Sequence, residues 1–328
     1  MSNPVLYNGK KIVAIKNLSN TLLLTWVINN ICTNHCSYCP SNLHTGTNHH
    51  YEWDQAKKFL QDCFSKYGRI QCNLSGGEPT VSPFFKELVN LIYDNGGVTN
   101  LTTNLVRKKE YWADIADKLC SIAVSYHPEF METKAKEDEL IDKILYLNDL
   151  TRVTARVMMH PDYWDQCYSF YKRLEALNTG FCMEMVRILP NFGVGEPYCI
   201  IDYTEEQNDI LNNTPPVLKF HNNLPPSFRH NMTKSNFVHD DGSEQHLDFG
   251  VASTLENNKL TNFQGWSCDI GLESLFVHYN GNVQKGNCFE GGFIGNITTG
   301  INWPTEPQIC GKDICHCIAD VLISKKMS

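Results

Sequence analysis

LLLTWVINNICTNHCSYCP, residues 22–40, decides how the rest of the chain is read. Residues 22–28 are apolar apart from Thr25, as in a strand buried on both faces. The second half holds Cys32, Cys36 and Cys39, spaced C-x3-C-x2-C and followed by Pro40. A buried strand that runs into a thiol-bearing loop needs partners for the strand and an occupant for the thiols.

The partners follow in order. Segments 52–67, 82–97, 110–119, 137–150 and 163–177 space their apolar residues as helices do. Segment 82–97 opens with Ser-Pro and stops at Gly, matching helix-end preferences. Between the helices, 70–74, 98–103, 121–126, 152–159 and 182–189 read as strands. This alternation predicts an α/β fold with a parallel sheet and helices outside it. Right-handed crossovers curl such a sheet. Six repeats are too few for a closed eight-fold barrel and suit a partial (β/α)6, TIM-like one. Its chemistry belongs in loops at the C-terminal ends of the strands, where the cysteine loop sits.

The expected division has three parts. Residues 1–190 are the barrel core. Residues 191–265, rich in Asn, Pro, His and Asp, read as a connecting segment with little regular structure, placed to contribute to a substrate pocket. Residues 266–328 form a small cysteine-rich module that contains ESLFVHYNGNVQKGNC, a hairpin signal around Asn280-Gly281.

Bulk properties narrow the function. The 328 residues are 42% hydrophobic and 20% charged, an ordinary soluble composition. The net charge of −8 argues against a dedicated nucleic-acid or anionic-membrane binder. No apolar run is long enough to span a bilayer, and the first residues lack the order of a secretory signal, so a cytoplasmic location is expected. Fourteen cysteines in that compartment do not form a disulfide framework; clustered ones point to metal or redox chemistry. The scattered Cys63, Cys72, Cys120, Cys167, Cys182 and Cys199 read as small buried apolar residues.

Three thiolates on one loop can hold three irons of a [4Fe–4S] cubane and leave the fourth iron open. An open metal position is a substrate site. Zinc is the alternative, with His35 as a fourth ligand. Directly after the second strand comes SGGEP, residues 75–79. Gly76 and Gly77 permit a close backbone approach. Glu78 and exposed carbonyls can accept hydrogen bonds from an ammonium group.

With these motifs the sequence resembles the radical S-adenosylmethionine (SAM) superfamily. The resemblance rests on Cys32, Cys36 and Cys39, with aromatic Tyr38 before the last cysteine, and on Gly76, Gly77, Glu78 and Pro79. It covers about residues 20–190. It implies a SAM-binding [4Fe–4S] cluster, SAM itself, and reductive cleavage to methionine and a 5′-deoxyadenosyl radical that abstracts hydrogen. It also implies an electron donor such as flavodoxin or ferredoxin. By the same resemblance, Thr103, Asn104, Ser125 and Arg156, at strand ends, are candidates to contact SAM, and His127 is a candidate to touch substrate. The catalytic residues proper remain unassigned.

Cys268, Cys288, Cys310, Cys315 and Cys317 lie in the last 61 residues as C-x19-C-x21-C-x4-C-x-C. They resemble the auxiliary-cluster modules called SPASM or twitch. The C-x12-G-x6-C opening is two residues longer than the usual pattern in its last gap, and the run of a two-cluster module is missing. A second [4Fe–4S] cluster on four of the five is expected, with Cys310 the competitor to the other four. Structural zinc is the alternative.

The leading reading is a radical SAM enzyme acting on a small molecule, with an auxiliary cluster that accepts an electron or binds substrate. A ribosomal-peptide maturase and a nucleic-acid-modifying enzyme keep the same chemistry on other substrates. A non-catalytic iron–sulfur or zinc protein is the contrasting class. Glu184, Asp240 and Asp241 are acidic candidates for a cationic substrate group.

Overall fold

The computed structural model describes residues 5–7, 9–177, 180–188, 202–217, 233–257, 260–315 and 317–327. Strands β1 (Leu6–Tyr7) and β2 (Lys10–Asn17) come first and pair antiparallel. Strand β3 (Leu22–Val27) follows, buried at every position but Thr25. The alternation then runs α1 (Trp53–Tyr67), β4 (Ile70–Ser75), α2 (Phe85–Asp94), β5 (Val98–Thr103), α3 (Lys109–Trp112), β6 (Ser121–Tyr126), α4 (Lys134–Asn148), β7 (Arg152–Met158), α5 (Trp164–Ala176) and β8 (Cys182–Val186). Strands β3 to β8 lie side by side in chain order, all parallel. A capping box of Glu52 and Gln55 starts α1, and Gly68 at φ 73° ends it.

Two helices differ from the sequence pattern. Ser82 and Pro83 enter a turn in which the Phe85 N–H donates to Ser82 O at 3.3 Å, so α2 starts later than its Ser-Pro signal. The helix expected over 110–119 divides into α3 and a 3-10 turn, Ala116–Lys118. Trp112, Ile115, Ala116 and Leu119 are all fully buried, so the apolar spacing serves packing and not one continuous helix.

The larger differences lie beyond β8. Regular structure is present where a connection was expected: α6 (Glu205–Asn213), the hairpin β9 (Ser235–His239) and β10 (Glu244–Leu247), and α7 (Phe249–Asn257). The hairpin turns at Asp241-Gly242, with Gly242 at φ 79°. Asp-Gly between β-rich runs is a hairpin signal that the polar composition masked. Much of 191–232, and Cys199 with it, lies outside the described residues.

The last segment supplies β11 (Ser267–Cys268), β12 (Ser274–Val277), β13 (Asn282–Gln284), β14 (Phe293–Asn296), β15 (Gly300–Ile301), β16 (Gln308–Ile309), the short helix α8 (Ile318–Val321) and β17 (Lys325–Lys326). β12 and β13 form the hairpin at Asn280-Gly281. In the sheet topology this segment is not set apart. β12 pairs parallel with β3 and extends the ten-stranded sheet, β15-β14-β13-β12-β3-β4-β5-β6-β7-β8. β11, β16 and β17 join β2, β9 and β10 in a second sheet. An unpaired β3 would expose a row of backbone donors and acceptors on an apolar strand, and β12 satisfies them.

Each sheet has its own core. The first packs β3–β8, β12 and β13 against the helices through residues such as Trp26, Phe85, Trp112, Tyr126 and Phe170. The second gathers Ile12, Ile15, Phe237, Phe263 and Trp266 around Cys268 and Cys315. Among the described residues, no helix is long and apolar enough to cross a membrane.

Candidate functional site

The cysteine loop leaves the C-terminal end of β3 and is fastened at once to the turn after β4. The Gly77 N–H donates to Asn29 O at 2.9 Å, and the Glu78 N–H to Ile31 O at 2.8 Å. Asn29 adds its side chain, accepting from the Ile31 N–H at 2.9 Å and donating to Glu78 O at 3.1 Å. The two glycines make this approach possible. A Cβ on Gly77 would stand 2.3 Å from Ile31 O, and one on Gly76 2.5 Å from Asn29 O. Gly76 also has φ 148°, which disfavours a side chain.

Glu78 turns into the wall. It is 0% exposed. Its Oε1 accepts from the Thr80 N–H (3.0 Å), the Thr80 hydroxyl (2.6 Å) and the Thr103 hydroxyl (2.8 Å). Its Oε2 accepts from the Asn104 N–H at 2.8 Å. Burial raises the Glu78 pKa, and these donors oppose the shift. The carboxylate thus ties the glycine turn to the end of β5. Asn104 passes the tie on: its Nδ2 donates to Thr33 Oγ1 at 2.9 Å and lies 3.8 Å from Cys32 Sγ.

The other end of the loop is held by the turn after β6. Glu129 accepts from the Ser37 N–H, at 3.0 Å to Oε2, and from the Ser37 hydroxyl at 2.9 Å. His127 Nδ1 lies 2.6 Å from the Tyr38 hydroxyl and 3.4 Å from Cys36 Sγ. The Tyr38 ring stacks on His127, with centroids 6.1 Å apart. Burial lowers the His127 pKa to about 4. Burial also pushes the Cys36 and Cys39 thiols up to about 12 and raises Cys32. With nothing bound, these thiols are neutral.

A cavity of about 430 Å³ opens between the loop and the strand ends. Of the residues expected to form a site, Cys32, Cys36, Tyr38, Cys39, Gly76, Gly77, Thr103, Asn104, Ser125 and Arg156 line it together. His127 lines it too. Glu78 and Pro79 do not; they lie behind its wall, because the four donors around Glu78 hold it inward. Arg156 is paired with Glu184, its register partner on β8. Glu184 is therefore occupied by a residue of this chain. Asp241 is engaged in the hairpin turn and pairs with Lys10 at 2.8 Å. Sequence reasoning missed Glu129 and its hold on Ser37: the two lie 92 residues apart, and no local spacing links them.

The five C-terminal cysteines meet at the second core. Cys268 on β11 stands opposite Lys325 on β17. The Cys288 N–H donates to Asp320 Oδ2 at 2.8 Å. Cys317 precedes α8, where its carbonyl accepts from the Val321 N–H at 3.0 Å. Burial raises all five thiols. Mutual repulsion between thiols raises them further and marks neighbours: Cys288 with Cys268, Cys315 and Cys317, and Cys315 with Cys268 and Cys317. Cys310 shares that reach with Cys268, and its own field comes from Glu290, Lys312 and Lys325.

The donor chemistry at both places fits iron–sulfur clusters, which take thiolates. Among the described residues, no three His, Cys, Asp or Glu side chains converge on a single-ion site. A cubane makes no such demand, because each thiolate holds its own iron.

The radical SAM superfamily model matches residues 26–174. Among solved structures, native anSMEcpe with bound AdoMet and Kp18Cys peptide is 12% identical, with TM-score 0.50 over 86% of this chain and 78% of that one. SuiB of Streptococcus suis bound to precursor peptide SuiA is 14% identical, with TM-score 0.51 over 94% of this chain and 65% of that one. SuiB bound to S-adenosylmethionine is 14% identical, with TM-score 0.50 over 86% and 64%. At these identities the likeness is one of fold, and the chain spans about two-thirds of SuiB. No curated protein matches the chain in sequence. A six-strand parallel block, a thiol loop at its mouth and the family match coincide, and residues 26–174 form a radical SAM domain.

Proposed function

We propose that the protein is a radical SAM enzyme whose first cluster is held by Cys32, Cys36 and Cys39, with SAM in the adjoining cavity. The observation that carries this reading is that the three cysteines, both glycines and four polar strand-end residues (Thr103, Asn104, Ser125 and Arg156) share one cavity of about 430 Å³. The parallel block is read as the partial barrel of that superfamily. Such a cluster, when reduced, supplies the electron that cleaves SAM to methionine and a 5′-deoxyadenosyl radical, which abstracts hydrogen from the substrate.

The protein's own groups bind and orient. Gly76 and Gly77 leave room on the wall and present backbone to the SAM amino acid portion. Tyr38 and the apolar Val27, Met158 and Val186 exclude water on the other side. Thr103, Asn104 and Ser125 offer donors and acceptors to the ribose and carboxylate. The Arg156–Glu184 pair sits at the margin and either orients SAM or meets the substrate. Glu78 acts from behind, by fixing Asn104 and the glycine turn.

Cys268, Cys288, Cys315 and Cys317 are read as ligands of a second cluster, because they lie in electrostatic reach of one another. An external reductant, a flavodoxin or ferredoxin, completes the system.

A small organic molecule is the first substrate reading. A peptide is the second, and it is favoured by the anSMEcpe and SuiB neighbours, both of which hold peptides.

Anaerobic reconstitution followed by SAM and dithionite tests the initiation step, with 5′-deoxyadenosine as the readout. Formation by the wild type and none by a Cys32/Cys36/Cys39→Ala variant is expected. Equal yields from both would sink the assignment.

A further inference from the structure

Lys325 is 4% exposed. Its Nζ donates to three backbone carbonyls: Asp320 O at 2.7 Å, Val321 O at 3.0 Å and Ile323 O at 3.0 Å. Three N–H donors are those of an ammonium; a neutral amine has two. The group therefore carries its charge inside the second core, 4.9 Å from the centre of the Phe263 ring. No carboxylate is among its hydrogen-bond partners. Burying an ammonium costs several kcal/mol even after relaxation, so a nearby anion is needed to offset it.

Two sources of negative charge are in place. Cys268 is the register partner of Lys325 across the β11–β17 pair, which puts the two side chains on one face about 5 Å apart at Cβ. Cys315 and Cys310 also lie within the lysine's field. Asp320, 2% exposed, is the second source, and it faces the other way: its Oδ2 takes the Cys288 N–H and its Oδ1 lies 3.3 Å from Asn287 Nδ2. While the thiols are neutral, Lys325 and Asp320 balance each other. Once the thiols bind metal they become thiolates, and the balance shifts toward negative charge.

We propose that Lys325 and Asp320 form an opposed buried charge pair that sets the reduction potential of a cluster on Cys268, Cys288, Cys315 and Cys317. The inference rests on the reading of those cysteines as cluster ligands. Reduction adds one electron to the cluster. A buried cation beside it favours the added negative charge, and a buried carboxylate opposes it. Lys325 raises the potential; Asp320 lowers it. Both are positioning residues for the cluster's field and neither is a ligand. The competing role for Lys325 is a cap on the last carbonyls of α8, which involves no redox effect.

The test uses the full chain carrying Cys32, Cys36 and Cys39→Ala, so that the C-terminal site alone can hold iron. The protein is reconstituted anaerobically, iron and sulfide are counted, and the midpoint is read by EPR-monitored titration. Lys325→Met, Lys325→Gln and Asp320→Asn are made in that background. Gln keeps one amide donor for the carbonyls and Asn keeps an acceptor for Cys288, so folding is guarded in both directions. About four irons per chain are expected throughout. At a fixed potential the reduced-to-oxidised ratio should fall about tenfold in both lysine variants, a ~59 mV drop for one electron. It should rise in Asp320→Asn. Unchanged midpoints with iron retained overturn the proposal and leave Lys325 as a helix cap. Shifts of the same sign in the lysine and aspartate variants overturn it as well, as would loss of iron in both lysine variants with no shift in Asp320→Asn. If the parent takes up no iron, or zinc in its place, the cluster reading itself fails, which the iron count shows before any midpoint is measured.

Discussion

The Glu78 carboxylate accepts the Asn104 backbone N–H at 2.8 Å, joining the ends of β4 and β5 behind the cavity wall. Both of its oxygens are used by donors of this chain. In Glu78→Gln one oxygen becomes an NH2 facing a donor. Thermal or urea unfolding should show a loss of about 1–3 kcal/mol. SAM binding to the iron-loaded protein should weaken, since Asn104 loses its anchor. Unchanged stability would mean that the buried carboxylate is replaceable.

Gly77→Ala places a methyl group 2.3 Å from Ile31 O. The glycine turn and the cysteine loop must then move apart, at about 1–3 kcal/mol of strain. Iron should fall by about four per chain, because one cubane is lost. A Cys32/Cys36/Cys39→Ala protein carrying Gly77→Ala should show no additional loss. An additional loss there would place the damage elsewhere.

Glu129→Ala frees the Ser37 N–H and hydroxyl that hold the loop between Cys36 and Cys39. Misplacing the loop by about 1 Å should slow 5′-deoxyadenosine formation about 100-fold. Far-UV circular dichroism should stay unchanged. A rate equal to wild type would remove Glu129 from the positioning set.

Cys310→Ala should keep the C-terminal iron, and Cys317→Ala should lose it. The difference follows from the thiols that Cys317 and Cys288 share a field with, against the Glu290, Lys312 and Lys325 surroundings of Cys310. Iron counts in the Cys32/Cys36/Cys39→Ala background decide it, and the reverse order would exchange the two in the ligand set.

Tyr51→Phe tests the core beneath the loop. The Tyr51 hydroxyl accepts from Trp26 Nε1 at 2.8 Å and donates to Ile28 O at 2.8 Å. Removing it orphans a buried donor and a buried acceptor, at about 2 kcal/mol. Chemical denaturation should show a lower midpoint with an unchanged slope.

The β/α alternation was legible because strands buried on both faces and amphipathic helices leave distinct apolar periods. The cysteine loop and SGGEP were legible because each is one short segment. What stayed hidden was long-range. Nothing local in SLFV, residues 274–277, announces that it will lie parallel to β3, about 250 residues earlier. Glu78 reads as a ligand group in sequence, and only the arrival of Thr103 and Asn104 turns it inward. Glu129 sits one residue past a proline in a short turn, and its meaning comes from Ser37 across the fold. Asp241-Gly242 carried a readable signal, submerged in a polar stretch.

The placement of β12 beside β3, and of β17 beside β2, bears on how the protein is made. The ribosome delivers β2 and β3 first and their neighbours last. Through nearly the whole of synthesis, the apolar Leu22–Val27 strand keeps one flank without a partner. Such an edge invites pairing with other nascent chains. Closure at such sequence separation is also slow once the chain is free. Production in a host should therefore gain from slower translation and from chaperones that shield the early strands, independently of iron supply.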